Sequence, residues 1–296
     1  MTSASLLARP RRGRAVALMV CAGIAWSTGG IIVRNVELGD GFEIVFWRSL
    51  FMILALGAYF LVLHGRRALR QVAACGLAGI LSGLLLASTF FFFILALLLT
   101  SVANTLVIMS ASPFLAAIFG RVWLGESVRA RTWVAMSVGA AGIALMFADS
   151  LGRGQVVGNL LALGVSIAFA SNVIVLRRAA RRVDMAPAVL LAGLFSIAIA
   201  LPFAWPLEAS LADLGWLALM GSFQLALGCV LWVLAARDLS AAEIGLLSLL
   251  EVILGPLWVW LGVGERPSDL ALIGGAVVIG ALVANEMGPR PARPAD

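Results

Sequence analysis

Lysine is missing from this sequence: the 21 basic residues among 296 are all arginine, and histidine and tyrosine occur once each. Without lysine there is no Gly-Lys-Ser/Thr phosphate loop, so the chain is not a conventional ATPase, and no retinal-type Schiff base can form. A single histidine excludes a His-Glu-x-x-His zinc site. The three cysteines, Cys21, Cys75 and Cys229, lie in separate apolar runs. That spacing argues against a disulfide framework or a zinc site and for small packing residues. Charge is also scarce, at 12% Asp, Glu and Arg, against about 25% in soluble domains. No connection between apolar runs is long enough to house a soluble domain.

What fills the chain is hydrocarbon. The hydrophobic fraction is 62% and the mean hydropathy is +1.06. A soluble fold could not cover so much apolar surface, whereas a bilayer tolerates it. The net charge of +6 does not mark a nucleic-acid binder, because the arginines sit in short clusters between apolar runs and form no basic stripe. We read the chain as an all-α integral membrane protein with ten spans, at 15–35, 42–63, 72–97, 102–120, 131–148, 158–176, 188–205, 214–235, 243–263 and 270–286. Most have the length of about twenty residues that crosses the hydrocarbon layer. Arg9, Arg11, Arg12 and Arg14 before the first run resemble the start of a signal peptide. The run continues to Val33 and nine more follow, so an uncleaved helix is expected.

Arginine placement sets orientation. With the N-terminus inside, the inner segments hold those four, then Arg66, Arg67 and Arg70, then Arg121, Arg129 and Arg131. They go on to hold Arg177, Arg178, Arg181 and Arg182, then Arg237, and finally Arg290 and Arg293. Only Arg153 and Arg266 fall in outer loops, with Arg34 and Arg48 near the outer ends of spans one and two. The bias predicts both termini in the cytoplasm.

The chain also repeats itself. Residues 101–126 and 240–265 each open on a small polar turn, run through an apolar helix and end in Gly-Glu, at Gly125-Glu126 and Gly264-Glu265. A glycine-rich span follows each, with Gly139 and Gly142 or Gly274, Gly275 and Gly280. More weakly, Trp26-Ser27-Thr28 precedes Arg34 as Phe169-Ala170-Ser171 precedes Arg177. Four regions result: a basic N-terminal segment at 1–14, a first repeat at 15–148, a second at 154–287 and a tail at 288–296. Five spans per half is odd, so the second half enters from the opposite face. Inverted halves of this kind suit alternating access.

Ser112-Pro113-Phe114 running to Leu124-Gly125-Glu126, and Leu250-Glu251-Val252 running to Val263-Gly264-Glu265, resemble the half-repeat signatures of the drug/metabolite transporter superfamily, EamA type. Ala25-Trp26-Ser27 and Phe46-Trp47-Arg48 fit as well. Val252 stands where the family motif usually has proline, and Pro256 lies one turn later. The resemblance covers essentially the whole chain. It implies ten helices around a central cavity lined mainly by spans one, three, four, six, eight and nine. It also implies transport of a small metabolite, amino acid or drug without ATP hydrolysis, with export of amino acids or related metabolites across a bacterial inner membrane as the leading expectation. No enzyme activity, cofactor or metal is expected; the partners are a small-molecule substrate, membrane lipid and a proton, while the oligomeric state stays open. The rival readings are a membrane-embedded enzyme acting on a lipid-linked substrate and a passive channel.

Glu251 stands out, because a lone carboxylate about 12 Å into span nine costs at least ~2.5 kcal/mol there unless it is protonated, paired or wet. It is the candidate for substrate binding and proton coupling, with a structural ion pair as the alternative. Arg48 is a candidate partner for Glu251 or for an anionic substrate, with snorkelling to the outer interface as the bland alternative. Trp26, Ser112, Asn172 and Gln224 are further substrate-binding candidates. Asn104, nearer the outer end of span four, suggests a gate or cap. Pro113 and Pro256 each remove a backbone donor inside a span and are candidate hinges. Glu126 and Glu265 are expected to cap helices or pair with arginines at the surface. Phe90 to Phe93 point all round a helix, so most are expected against lipid or in the core, with one in the cavity. Gly79 and Gly83 predict close helix packing, and His64 an interfacial position.

Overall fold

The computed structural model describes residues 9–65, 74–179, 188–236, 238–239 and 241–287. The expectations for residues 1–8, for the tail at 288–296, for the side chain of His64 and for Arg66, Arg67, Arg70, Arg181, Arg182, Arg237, Arg290 and Arg293 lie outside the described residues. Among the described residues every regular element is helical. We number the rods in chain order. α1 is Arg9–Ser27 continued by Gly29–Arg34, α2 is Gly41–His64 and α3 is Gly76–Leu99. α4 is Val102–Met109 continued by Ser112–Leu124, α5 is Ala130–Leu151 and α6 is Val156–Ala179. α7 is Ala188–Ala204, and α8 runs through Leu211–Leu219, a π-helical stretch Met220–Leu227 and Gly228–Ala236. α9 is Ala241–Val263 and α10 is Asp269–Met287. Eight of these segments are long and apolar enough to cross a membrane, while Ala188–Ala204 and Asp269–Asn285 are shorter apolar helices.

Local chemistry sets the ends. Asp40 accepts from Phe42 N at the start of α2, and Ser101 accepts from Asn104 N at the start of α4. Ser210 and Asp213 form a reciprocal capping box that starts α8 at Leu211, earlier than the expected 214. The Gly-Glu pairs have one geometry at both sites. Gly125 and Gly264 take left-handed φ of 68° and 73°, open to glycine without strain. The next amide then turns back, Glu126 N to Gly120 O and Glu265 N to Val259 O, both at 3.2 Å. Each motif closes a helix and turns a carboxylate sideways.

Packing is mostly between halves. α3 lies along α6, α5 along α10, α7 against α2 and α3, and α1 between α8 and α9. α1 and α9 run parallel in constant register: Arg12 with Glu243, Ser27 with Trp258 and Arg34 with Glu265 are each 231 residues apart. α4 and α6 are likewise parallel, from Thr100 with Asn159, through Ser166 donating to Ile108 O, to Arg177 with Glu126. The expected close packing between helices is present at Gly83, while a Cβ on Gly79 would meet Cys75 of its own helix start and lie only at ordinary contact distance, 3.4 Å, from Leu191. A methyl group on Gly83 would meet Leu191 Cβ at 2.9 Å, so α3 and α7 approach there as only glycine permits.

Candidate functional site

Arg48 is the centre of the site. Seven residues past the start of α2 at Gly41, its polar head has not snorkelled: the residue is 3% exposed. Its guanidinium carbon lies 5.2 Å from the Phe90 ring centroid and 5.6 Å from that of Phe93, within the range of cation–π attraction. Nε and Nη1 have no hydrogen-bond partner. Glu251 on α9 and Cys229 on α8 are within electrostatic reach. Among the described residues, however, no ion pair joins Arg48 to Glu251. A buried cation with free donors and an unjoined acid nearby is costly as architecture. It is well suited to a visitor that supplies the missing partners.

Trp26 and Gln224 adjoin this centre. The π-helical stretch of α8 carries Gln224, whose Nε2 donates to Trp26 O at 3.3 Å while its Oε1 stays unpartnered and buried. A Cβ on Gly29 would lie 3.1 Å from Gln224 Nε2 and 3.6 Å from Phe93, so α1, α3 and α8 meet here. Trp26 Nε1 is another buried donor without a partner. Two glycines make the approach possible. A methyl on Gly221 would strike Arg48 O at 2.4 Å, and one on Gly228 would strike Trp26 Nε1 at 2.3 Å. π-helical turns recur at functional sites because they re-aim side chains without breaking the rod. This one aims Gln224 at α1.

Of the sequence candidates, the structure therefore brings Trp26, Arg48, Gln224 and Glu251 to one region. Ser112 and Asn172 make their hydrogen bonds elsewhere. Ser112 donates to Met109 O across the break in α4, and Asn172 accepts from Ser82 at 2.6 Å, tying α6 to α3. The break in α4 falls at Ser110 and Ala111, and Pro113 sits in the first turn of the continuing helix, where its missing N–H is no loss. Pro256 is inside α9 as expected. α1 has a matching break at Thr28, where Ser27 and Thr28 donate to Ile24 O and Ala25 O. Phe90 and Phe93 both flank Arg48, where the sequence reading expected one of the four phenylalanines in the cavity, and Cys229, read as a packing residue, lies within electrostatic reach of it. The signal for the pair was the i, i+3 spacing of the two phenylalanines, which puts both on one helix face.

A second polar region lies at the end of the bundle that holds Arg34 and Glu265. A cavity of about 240 Å³ is lined by Arg34, Asn104, Asp149, Arg153, Glu265 and Arg266, among others. Asn104, the candidate gate or cap, is among the lining residues. Arg34 pairs with Glu265 at 2.6 Å, donates to Thr100 O at 3.0 Å and donates to Leu97 O, while Glu265 accepts from Val102 N at 2.8 Å. At the opposite end Arg177 pairs with Glu126 at 2.8 Å, and Arg178 donates to Trp123 O at 2.6 Å.

Comparison with known proteins fits this picture. The model of the EamA-like transporter family matches residues 13–148 and, a second time, 156–285. The chain belongs to the EamA-like transporter family. It is accordingly a multi-pass membrane protein built from two EamA repeats, in a family of transporters rather than enzymes. No curated protein matches the sequence. The crystal structure of a protein is similar over 92% of this chain and 96% of its own, with a TM-score of 0.64 at 20% identity. That likeness concerns the fold.

Proposed function

We propose that this EamA member is a secondary transporter that carries a small amphoteric solute, an amino acid or related metabolite, across the bacterial inner membrane by alternating access. In this reading ten helices form two inverted halves with both termini in the cytoplasm, and the physiological direction is export. The observation that carries it is Arg48, buried with two free donors between Phe90 and Phe93. A substrate carboxylate satisfies those donors, and Glu251 with Gln224 Oε1 receives the ammonium group. Trp26 Nε1 supplies a further donor.

The inverted arrangement is supported by helix direction. α1 runs parallel to α9 and α4 to α6, while the end of α1 at Arg34 meets the start of α4 at Val102 through Glu265. Matching helices of the two halves therefore point opposite ways, as opposite entry into the bilayer requires. Pro113, Pro256 and the breaks in α1 and α4 are the places where such halves would bend.

The test is counterflow. Purified protein in liposomes preloaded with pooled amino acids and metabolites should exchange labelled solute saturably. Non-saturating flux without counterflow would mean a channel, and no exchange from folded protein would remove the reading. Glu251 is the proposed proton carrier as well as the partner of the ammonium group, so Glu251→Gln should weaken exchange and remove the response of the remaining exchange to a pH gradient. A variant that kept the full response would clear Glu251 of that role.

A further inference from the structure

The two Gly-Glu motifs do more than end helices. Glu265 belongs to the second half, yet it pairs with Arg34 of the first and accepts from Val102 N at the first turn of α4. A carboxylate at that position also meets the positive end of the helix. Arg34 extends the knot to Leu97 O and Thr100 O. One ion pair thus binds four segments: α1, the end of α3, the start of α4 and the end of α9. The repeat supplies a counterpart. Glu126 corresponds to Glu265 and Arg177 to Arg34, again with acid and base from different halves, at the other end of the molecule. The counterpart is looser, with both side chains 48% exposed against 23% for each partner of the Arg34 pair.

We infer that these four residues are the gates of the transport cycle: Arg34 with Glu265 closes one face, and Arg177 with Glu126 closes the other. The inference rests on the alternating-access reading above. The repeat aligns Val102 with Ala241, the first residue of α9. Both ion pairs are formed here, the Arg177 pair the more exposed; full closure of its face brings Glu126 onto the start of α9 at Ala241, as Glu265 docks on α4 here. The Arg34 knot opens in the same movement. Each acid therefore favours closure of its own face and, through the shared equilibrium, opening of the other.

Cys229 provides the readout because it is part-exposed and lies within electrostatic reach of Arg48 and Glu251. With Cys21→Ala and Cys75→Ala as background, a membrane-impermeant maleimide is applied to right-side-out and to inverted vesicles, with total thiol measured after unfolding in detergent. Glu265→Gln should raise the labelling rate of Cys229 from the Arg34 face about fivefold and lower it from the other. This is the shift that ~1 kcal/mol produces in a two-state equilibrium. Glu126→Gln should do the reverse. Arg34→Gln and Arg177→Gln repeat the two effects by removing the other partner, which guards against one variant failing to fold. Opposite effects of the two pairs establish the gates. Equal effects on one face, or no change in labelling, overturn them. No substrate is used, so the result is independent of whether counterflow identifies one.

Discussion

Arg48 and Asn172 are both buried polar residues in this fold, but their surroundings predict opposite behaviour. Asn172 already holds its partner, Ser82 Oγ at 2.6 Å. Asn172→Ala should cost about 1 kcal/mol of stability, as an interhelical hydrogen bond does, and leave the apparent substrate affinity unchanged in exchange assays. Arg48 holds no partner for Nε or Nη1. Replacing a poorly compensated buried charge by an apolar side chain of similar length is neutral or stabilising in folded proteins. Arg48→Met should therefore keep or raise the melting temperature in detergent while cutting exchange about 100-fold, the effect of a lost charge pair of about 3 kcal/mol. If melting fell along with exchange, Arg48 would be a structural group. Sequence alone exposed Arg48 and Glu251 because an ion in an apolar run is conspicuous whatever its neighbours. It could not reveal that the two remain apart, or that Phe90 and Phe93 flank the cation, because those facts depend on how α2, α3 and α9 are set side by side.

At the scale of the element, glycine decides what approaches what. Gly228 begins the last stretch of α8, and a Cβ there would sit 2.3 Å from Trp26 Nε1, well inside contact. Gly228→Ala must displace the indole or push α8 from α1. Overpacking of this kind costs about 1–3 kcal/mol. We expect Gly228→Ala to weaken substrate affinity about tenfold in exchange measurements, because Trp26 Nε1 is moved off its present position. A lower melting temperature with unchanged affinity would make Trp26 a packing residue. Helix existence was legible from hydropathy, and the Gly-Glu turns were legible as a repeat. The π-helical stretch at Met220–Leu227 was not. Its i→i+5 bonding is favoured where Gly221 lies against the backbone of α2 at Arg48, a tertiary cause that leaves no periodic trace. The start of α8 was misplaced for a different reason, since Ser210 and Asp213 carry a recognisable capping pattern that hydropathy overlooks.

For the whole molecule, the repeat boundary and the packing boundary do not coincide. The family model matches twice, at 13–148 and 156–285, which invites a picture of two domains side by side. The contacts deny it: α3 packs on α6, α5 on α10, α7 on α2 and α3, and α1 on α8 and α9. Gly142 and Gly274 show how intimate this is, since a methyl group on either would come within 2.7 Å of the other's carbonyl oxygen. In a bilayer there is little hydrophobic drive between helices, so such close packing and the few polar bonds carry association. A half expressed alone would leave Asn172 without Ser82, Arg34 without Glu265 and Glu126 without Arg177. We therefore expect residues 1–152 and 153–296, expressed separately, to be degraded or to aggregate in detergent, and the same two chains co-expressed to co-purify as one complex and recover exchange. Co-purification should weaken in Gly142→Leu, which blocks the α5–α10 contact far from Arg48. A first half that ran alone as a folded monomer on size exclusion would contradict this, and would mean that each repeat closes a core of its own and that the interdigitation seen here is only docking.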